Sequence, residues 1–137
     1  MGVSITSKDS KYDFDMGYSG FFNLRKNIAY CLDEEFGDNY SALAKCLTMS
    51  DFEHNDKIAN KLIEEKNLDS DIIEFLYAPD TNGKISYKVC KKIYDLIKDV
   101  DFSNRTFRYG AYVHNDYEEF KEFLKNCYTK RHIMTWF

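Results

Sequence analysis

The sequence predicts one helix-rich α+β domain carrying a small antiparallel sheet. Three observations carry that expectation. Residues at the N-terminus alternate apolar and polar with a period of two, which is the signature of a half-buried strand. Most of the remaining chain repeats apolar residues at helical spacing. A chain of 137 residues that is 44% hydrophobic and 31% charged suffices for one core but not comfortably for two.

Val3 and Ile5 alternate with Ser4 and Thr6, then Lys8-Asp9-Ser10-Lys11 intervenes before Tyr12, Phe14 and Met16 alternate with Asp13 and Asp15. This is a two-strand hairpin pattern. Met1-Gly2-Val3-Ser4-Ile5-Thr6 also fits the N-myristoylation pattern, but no polybasic cluster follows to add a second membrane signal, which favours a plain first strand.

Gly17-Tyr18-Ser19-Gly20 reads as a turn into the first helix, with Ser19 or Gly20 as its cap. Phe21, Leu24, Ile28, Cys31, Leu32 and Phe36 then fall on one stripe, predicting a helix from Phe21 to Phe36 that stops at Gly37. Further helices are expected over Asn39–Thr48, over Phe52–Asn67 with Ser50 or Asp51 as cap, and from Asp69 or Ser70 until Pro79 ends the run. Asp80-Thr81-Asn82-Gly83 is a turn, Ser86 caps the next helix through Ile97, and Phe102 to Val113 reads as a loop or short strand. A last helix carries Tyr117, Phe120, Phe123, Leu124, Cys127 and Tyr128. His132–Phe137 either returns as a strand against the opening hairpin or continues the helix.

Composition narrows the function classes. No stretch approaches the roughly 18 apolar residues of a membrane span, and no basic segment followed by an apolar one opens the chain. Cys31, Cys46, Cys90 and Cys127 are widely spaced with no C-x-x-C pair, so they read as reduced, buried thiols of a cytoplasmic protein. The net charge of −4 hides an asymmetry: residues 1–82 hold 16 acidic and 8 basic side chains, residues 83–137 hold 7 and 11. An acidic surface disfavours general affinity for nucleic acid and suits a basic protein groove.

Candidate chemistry is sparse. Ala78 to Ser86 follows the helix–loop–helix order of an EF-hand, but aligning Gly83 to the sixth loop position puts Ala78 first and Val89 twelfth, where carboxylates are required, so no calcium site is expected. Gly17 to Gly20 before a helix could cradle an anion, with Arg25 further inward. It lacks the lysine of a P-loop and the glycine spacing of a dinucleotide fingerprint. A ligand site of Gly17, Tyr18, Ser19, Gly20 and Arg25 is therefore an alternative to a plain turn. His114 and Asp116 are the one histidine–carboxylate neighbour pair in an expected loop, and the seat of any cryptic enzyme. Asn115 or Asp116 serves more simply as a helix cap. His54 stands among Asp51, Glu53 and Asp56, and three scattered histidines offer no zinc spacing. No cofactor is expected. Lys84, Lys88, Lys91 and Lys92 form the basic cluster, extended by Arg105, Arg108, Lys130 and Arg131, with Tyr87 nearby for base stacking. A solvated helix face is the simpler reading.

Gly-Tyr-Ser-Gly-Phe-Phe-x-Leu-Arg, Asp-Thr-Asn-Gly-Lys-Ile-Ser-Tyr-Lys and the aromatic last helix together resemble small uncharacterised proteins of low-GC Gram-positive bacteria and their phages. The resemblance implies a mobile-element setting and a compact inhibitor that occupies a host defence complex, such as a CRISPR nuclease. The expectation is a non-enzymatic protein-binding module. Its partner-facing charges are Asp33, Glu34, Glu35 and Asp38 on the acidic side and Lys84, Lys88 and Lys91 on the basic side.

Overall fold

The computed structural model describes residues 2–7, 14–43, 48–79, 81–101 and 114–137, with residues 2, 14–19 and 114–116 described by backbone alone. Two strands open the chain, β1 (Gly2–Ser7) and β2 (Phe14–Gly17). Four helices follow: α1 (Tyr18–Leu32), α2 (Glu34–Leu43), α3 (Met49–Glu65) and α4 (Ser70–Tyr77). Then come β3 (Gly83–Ile85), α5 (Tyr87–Ile97), α6 (His114–Lys130) and β4 (Met134–Trp136). The result is the helix-rich α+β architecture that the two periodicities predict.

The sheet runs β2-β1-β4-β3, each neighbour antiparallel. The C-terminal residues therefore form a strand, and they form a central one. Ile5 faces Trp136 across β1–β4, and Ser4 and Phe137 exchange both backbone bonds beyond it. Met134 and Trp136 point into the core, while Thr135 shares a hydroxyl bond of 2.8 Å with Thr6 on the other face. β3 is absent from the period-two pattern because three residues beginning with glycine leave almost no alternation to detect. Gly83 is required there: a Cβ would stand 1.9 Å from the Trp136 ring.

The first long helix is two helices. Asp33 lies between them, and its carboxylate accepts the Phe36 N–H at 2.9 Å, making it the N-cap of α2. Phe36 and Gly37 thus belong to α2, and the expected helix over Asn39–Thr48 begins earlier. Gly37 is no helix stop; a Cβ there would lie 2.6 Å from the Tyr30 Cα. It lets α2 close onto α1. A single residue that both ends one helix and caps the next leaves the apolar stripe in phase, so periodicity alone cannot show the break.

The caps shift similarly. Thr48, rather than Ser50 or Asp51, caps α3 by accepting the Asp51 N–H at 3.1 Å. Asp69 and Ser86 cap α4 and α5 as expected. At the other strand–helix junction α1 starts directly after β2, so Ser19 and Gly20 lie in its first turn instead of capping it. The segment 102–113 and Tyr12 of the hairpin lie outside the described residues.

The core gathers Val3 and Ile5, Phe21, Leu24 and Ile28 of α1, Phe75 and Leu76 of α4, and the inward residues of α5 and α6. Phe75 meets Trp136 edge-on at 5.4 Å between centroids, and Phe21 meets both rings at 6.3 and 6.0 Å. Edge-to-face pairs of this kind add to the area they bury.

Candidate functional site

Arg25 was the one charged side chain expected near the glycine turn. Its guanidinium instead lies in the core, 3% exposed, above the ring of Phe21 at 4.3 Å and within reach of Phe75 and Trp136. Nη1 donates to the Ala78 carbonyl at 2.7 Å and Nη2 to that of Pro79 at 3.4 Å. Trp136 Nε1 donates to the same Pro79 oxygen, and the Tyr40 hydroxyl donates to Leu76 O. These carbonyls close the C-terminal end of α4, where Pro79 prevents continuation and the helix has no donors of its own. The positive charge also suits that helix end. Arg25 thus joins α1 to α4, stacked over Phe21 in the first turn of its own helix while its Nη atoms bond carbonyls at the end of α4. The side chains of Tyr18 and Ser19 lie outside the described residues.

The acidic quartet is partly engaged within the fold. Lys66 bridges Asp33 at 3.0 Å and Glu35 at 3.1 Å. Burial alone would raise the Asp33 carboxyl, but the Phe36 N–H and the Lys66 ammonium hold it below the usual aspartate range. Glu34 remains exposed and Asp38 half-buried. These bridges also set α2 against α3, with Lys66 at the end of α3 beside the start of α2.

The opposite end of α3 is different. Ala59 and Leu62 are buried, and Phe52 is seven residues before Ala59 on the same stripe. Phe52 is nevertheless 45% exposed and Met49 72% exposed. Asp51, Glu53 and His54 beside them are exposed, and Asp56 is half-buried. Tyr77, at the end of α4, packs edge-on against Tyr40 at 5.5 Å and remains partly exposed. Its hydroxyl is pushed up to about 12, first by burial and then by the charge of Asp56. Ile58 of α3 is exposed. The first turns of α3 therefore present apolar side chains among carboxylates. Among the described residues no three His, Cys, Asp or Glu side chains gather in a metal-binding group. The sequence signal was available: Phe52 lies on the buried stripe two turns before its inner members, but periodicity cannot tell where the body of the protein stops.

The basic cluster divides. Lys84 is on β3, off the helix, and lines a cleft of about 160 Å³ with Asp71, Glu74 and Val89. The helical spacing expected to unite it with Lys88 and Lys91 begins only at Tyr87. Those two, with Lys92, Tyr87 and Asp95 of α5 and Tyr128, Thr129 and Arg131 of α6 and its end, line a separate groove of about 560 Å³. Arg105 and Arg108 lie outside the described residues, as do the side chains of His114 and Asp116.

Cys90 and Cys127 face each other across α5 and α6. The thiol of Cys90 is pushed up by its hydrogen bond with Cys127 and by burial, and burial raises Cys31 to about 11. Such thiols are poor nucleophiles. Cys46 lies outside the described residues. Among the described residues no helix is long and apolar enough to cross a membrane.

Compared with protein-family models, curated proteins and solved structures, the chain matches none of them.

Proposed function

We propose that the protein is a non-enzymatic binding module that docks a basic protein surface onto the first turns of α3. One observation carries this reading: the buried stripe of α3 continues outward to Phe52, with Met49 beside it, both exposed. An aromatic anchor ringed by carboxylates is the arrangement expected of an interface whose core excludes water and whose rim selects charge. Asp51, Glu53 and Asp56 supply that rim. The N-terminal two-thirds of the chain adds a long-range field of the same sign. The resemblance to proteins of low-GC Gram-positive bacteria and their phages makes a host defence complex, such as a CRISPR nuclease, the partner to try first.

The test is capture of a purified candidate complex by the wild-type chain and by Phe52→Ala. An interface anchor should lose roughly tenfold or more in affinity, about 1.4 kcal/mol or above, at unchanged melting temperature. Equal binding by the variant removes α3 from the interface.

A further inference from the structure

Two helices of this protein end in the same way. In α3, Asn67 N–H donates to Glu64 O and Leu68 N–H to Ile63 O; in α6, Arg131 N–H donates to Tyr128 O and His132 N–H to Cys127 O. Both are Schellman ends, whose turning residue adopts the left-handed region. Asn67 has φ 50° and Arg131 φ 59°. Asparagine is among the residues that tolerate this region, and glycine does so freely; arginine gains nothing from it locally. The chain therefore holds an arginine where a cheaper residue closes the helix equally well.

That arginine lines the α5–α6 groove with Tyr87, Lys88, Lys91 and Lys92. Two of the lysines are neutralised within the fold: Lys91 by Asp95 at 2.7 Å, Lys92 by Asp71 at 2.7 Å and Asp69 at 3.2 Å. Among the described residues Arg131 and Lys88 have no carboxylate partner, and the half-buried Tyr87 has neither a ring nor a hydrogen-bond partner. Tyr128, on the far wall, is already packed against Tyr94 at 5.4 Å. The groove thus offers two unmatched cations, one of them a fork suited to phosphate oxygens, next to one unoccupied aromatic face. Its volume is in the range of small-ligand sites.

We infer that the α5–α6 groove binds a nucleoside phosphate, Arg131 and Lys88 holding the phosphate and Tyr87 stacking on the base. Free nucleotide and single-stranded nucleic acid share this chemistry. The site is independent of the α3 face.

The experiment is titration calorimetry at low salt with inorganic phosphate, adenosine monophosphate and a short single-stranded oligonucleotide, on the wild type, Arg131→Gly, Arg131→Gln and Tyr87→Leu. Adenosine monophosphate or the oligonucleotide should bind more tightly than phosphate, and more weakly as salt is added. Arg131→Gly should lose at least about tenfold in affinity while its melting temperature holds or rises, because glycine relieves the left-handed backbone. A residue serving only the fold would show the reverse pattern. Arg131→Gln keeps a side chain there without the charge and should weaken binding similarly, while Tyr87→Leu should abolish the preference over phosphate. A much tighter oligonucleotide identifies a strand as the natural occupant; equal affinities identify a free nucleotide. Heat signals absent for every probe, phosphate binding as well as the nucleotide, or undiminished binding by both Arg131 variants would each overturn the inference.

Discussion

Arg25 and Arg131 make opposite use of the same side chain. Arg25 is enclosed by three aromatic rings and directs its donors to the carbonyls that end α4. Arg131 sits at the rim of a groove, in a backbone region unfavourable to it, with no carboxylate partner among the described residues. The sequence offers Arg25 as a ligand-facing residue only as an alternative to a plain glycine turn, and places Arg131 at the margin of a basic cluster. The contrast shows that a charge near a suggestive motif is informative only after its internal hydrogen bonds are known. A buried guanidinium whose Nη atoms are already bonded within the fold has little left to offer a ligand.

The sharpest way to break this contrast is to damage the Arg25 region itself. Trp136→Ala removes a fully buried ring that packs on Phe21 and Phe75 and donates to Pro79 O. It should cost about 3–5 kcal/mol in urea denaturation. A loss under about 1 kcal/mol would mean that this cluster is not the keystone between α1, α4 and the sheet.

Arg25→Lys is a finer probe. An ammonium keeps the charge but cannot span the Ala78 and Pro79 carbonyls with a planar fork, so a loss of about 1–3 kcal/mol is expected by the same measurement. Arg131→Lys, being at the surface, should stay within about 0.5 kcal/mol of wild type. Equal losses at the two positions would erase the distinction drawn between them.

Asp33 gives a smaller effect than Trp136 or Arg25. Its folded carboxyl titrates below the ordinary 3.8, so its contribution is complete above that value and disappears as pH falls through the folded one. Asp33→Asn retains a capping oxygen but loses the Lys66 bridge. Since that bridge is partly exposed, the loss near neutrality should be under about 1 kcal/mol, and the acid side of the stability–pH curve should flatten. An unchanged acid limb would show that the Asp33–Lys66 contact contributes nothing to stability.

Much of the architecture was legible in the chain. The alternation of Val3 and Ile5 marks β1, the capping oxygens of Asp69 and Ser86 mark two helix starts, and Pro79 marks a helix end, because each acts on its immediate neighbours. The same locality explains the failures. Asp33 interrupts a helix without disturbing its stripe, and Gly37 resembles a stop because its real neighbour, Tyr30, sits on another helix. Gly83–Ile85 looks like part of a turn because only its pairing with Met134–Trp136, some fifty residues on, makes it a strand. The candidate surfaces were legible as residues but not as sites: Phe52 reads as a helix start, Lys84 as part of the Lys88 face.

By itself the sequence determined the fold class, most helix positions and the uneven distribution of charge, since periodicity, caps and composition are properties of adjacent residues. Only the tertiary structure decided which members of an apolar stripe escape burial and which charges remain unmatched. Those outcomes depend on what distant segments bring alongside, and no local pattern encodes where a neighbouring element ends.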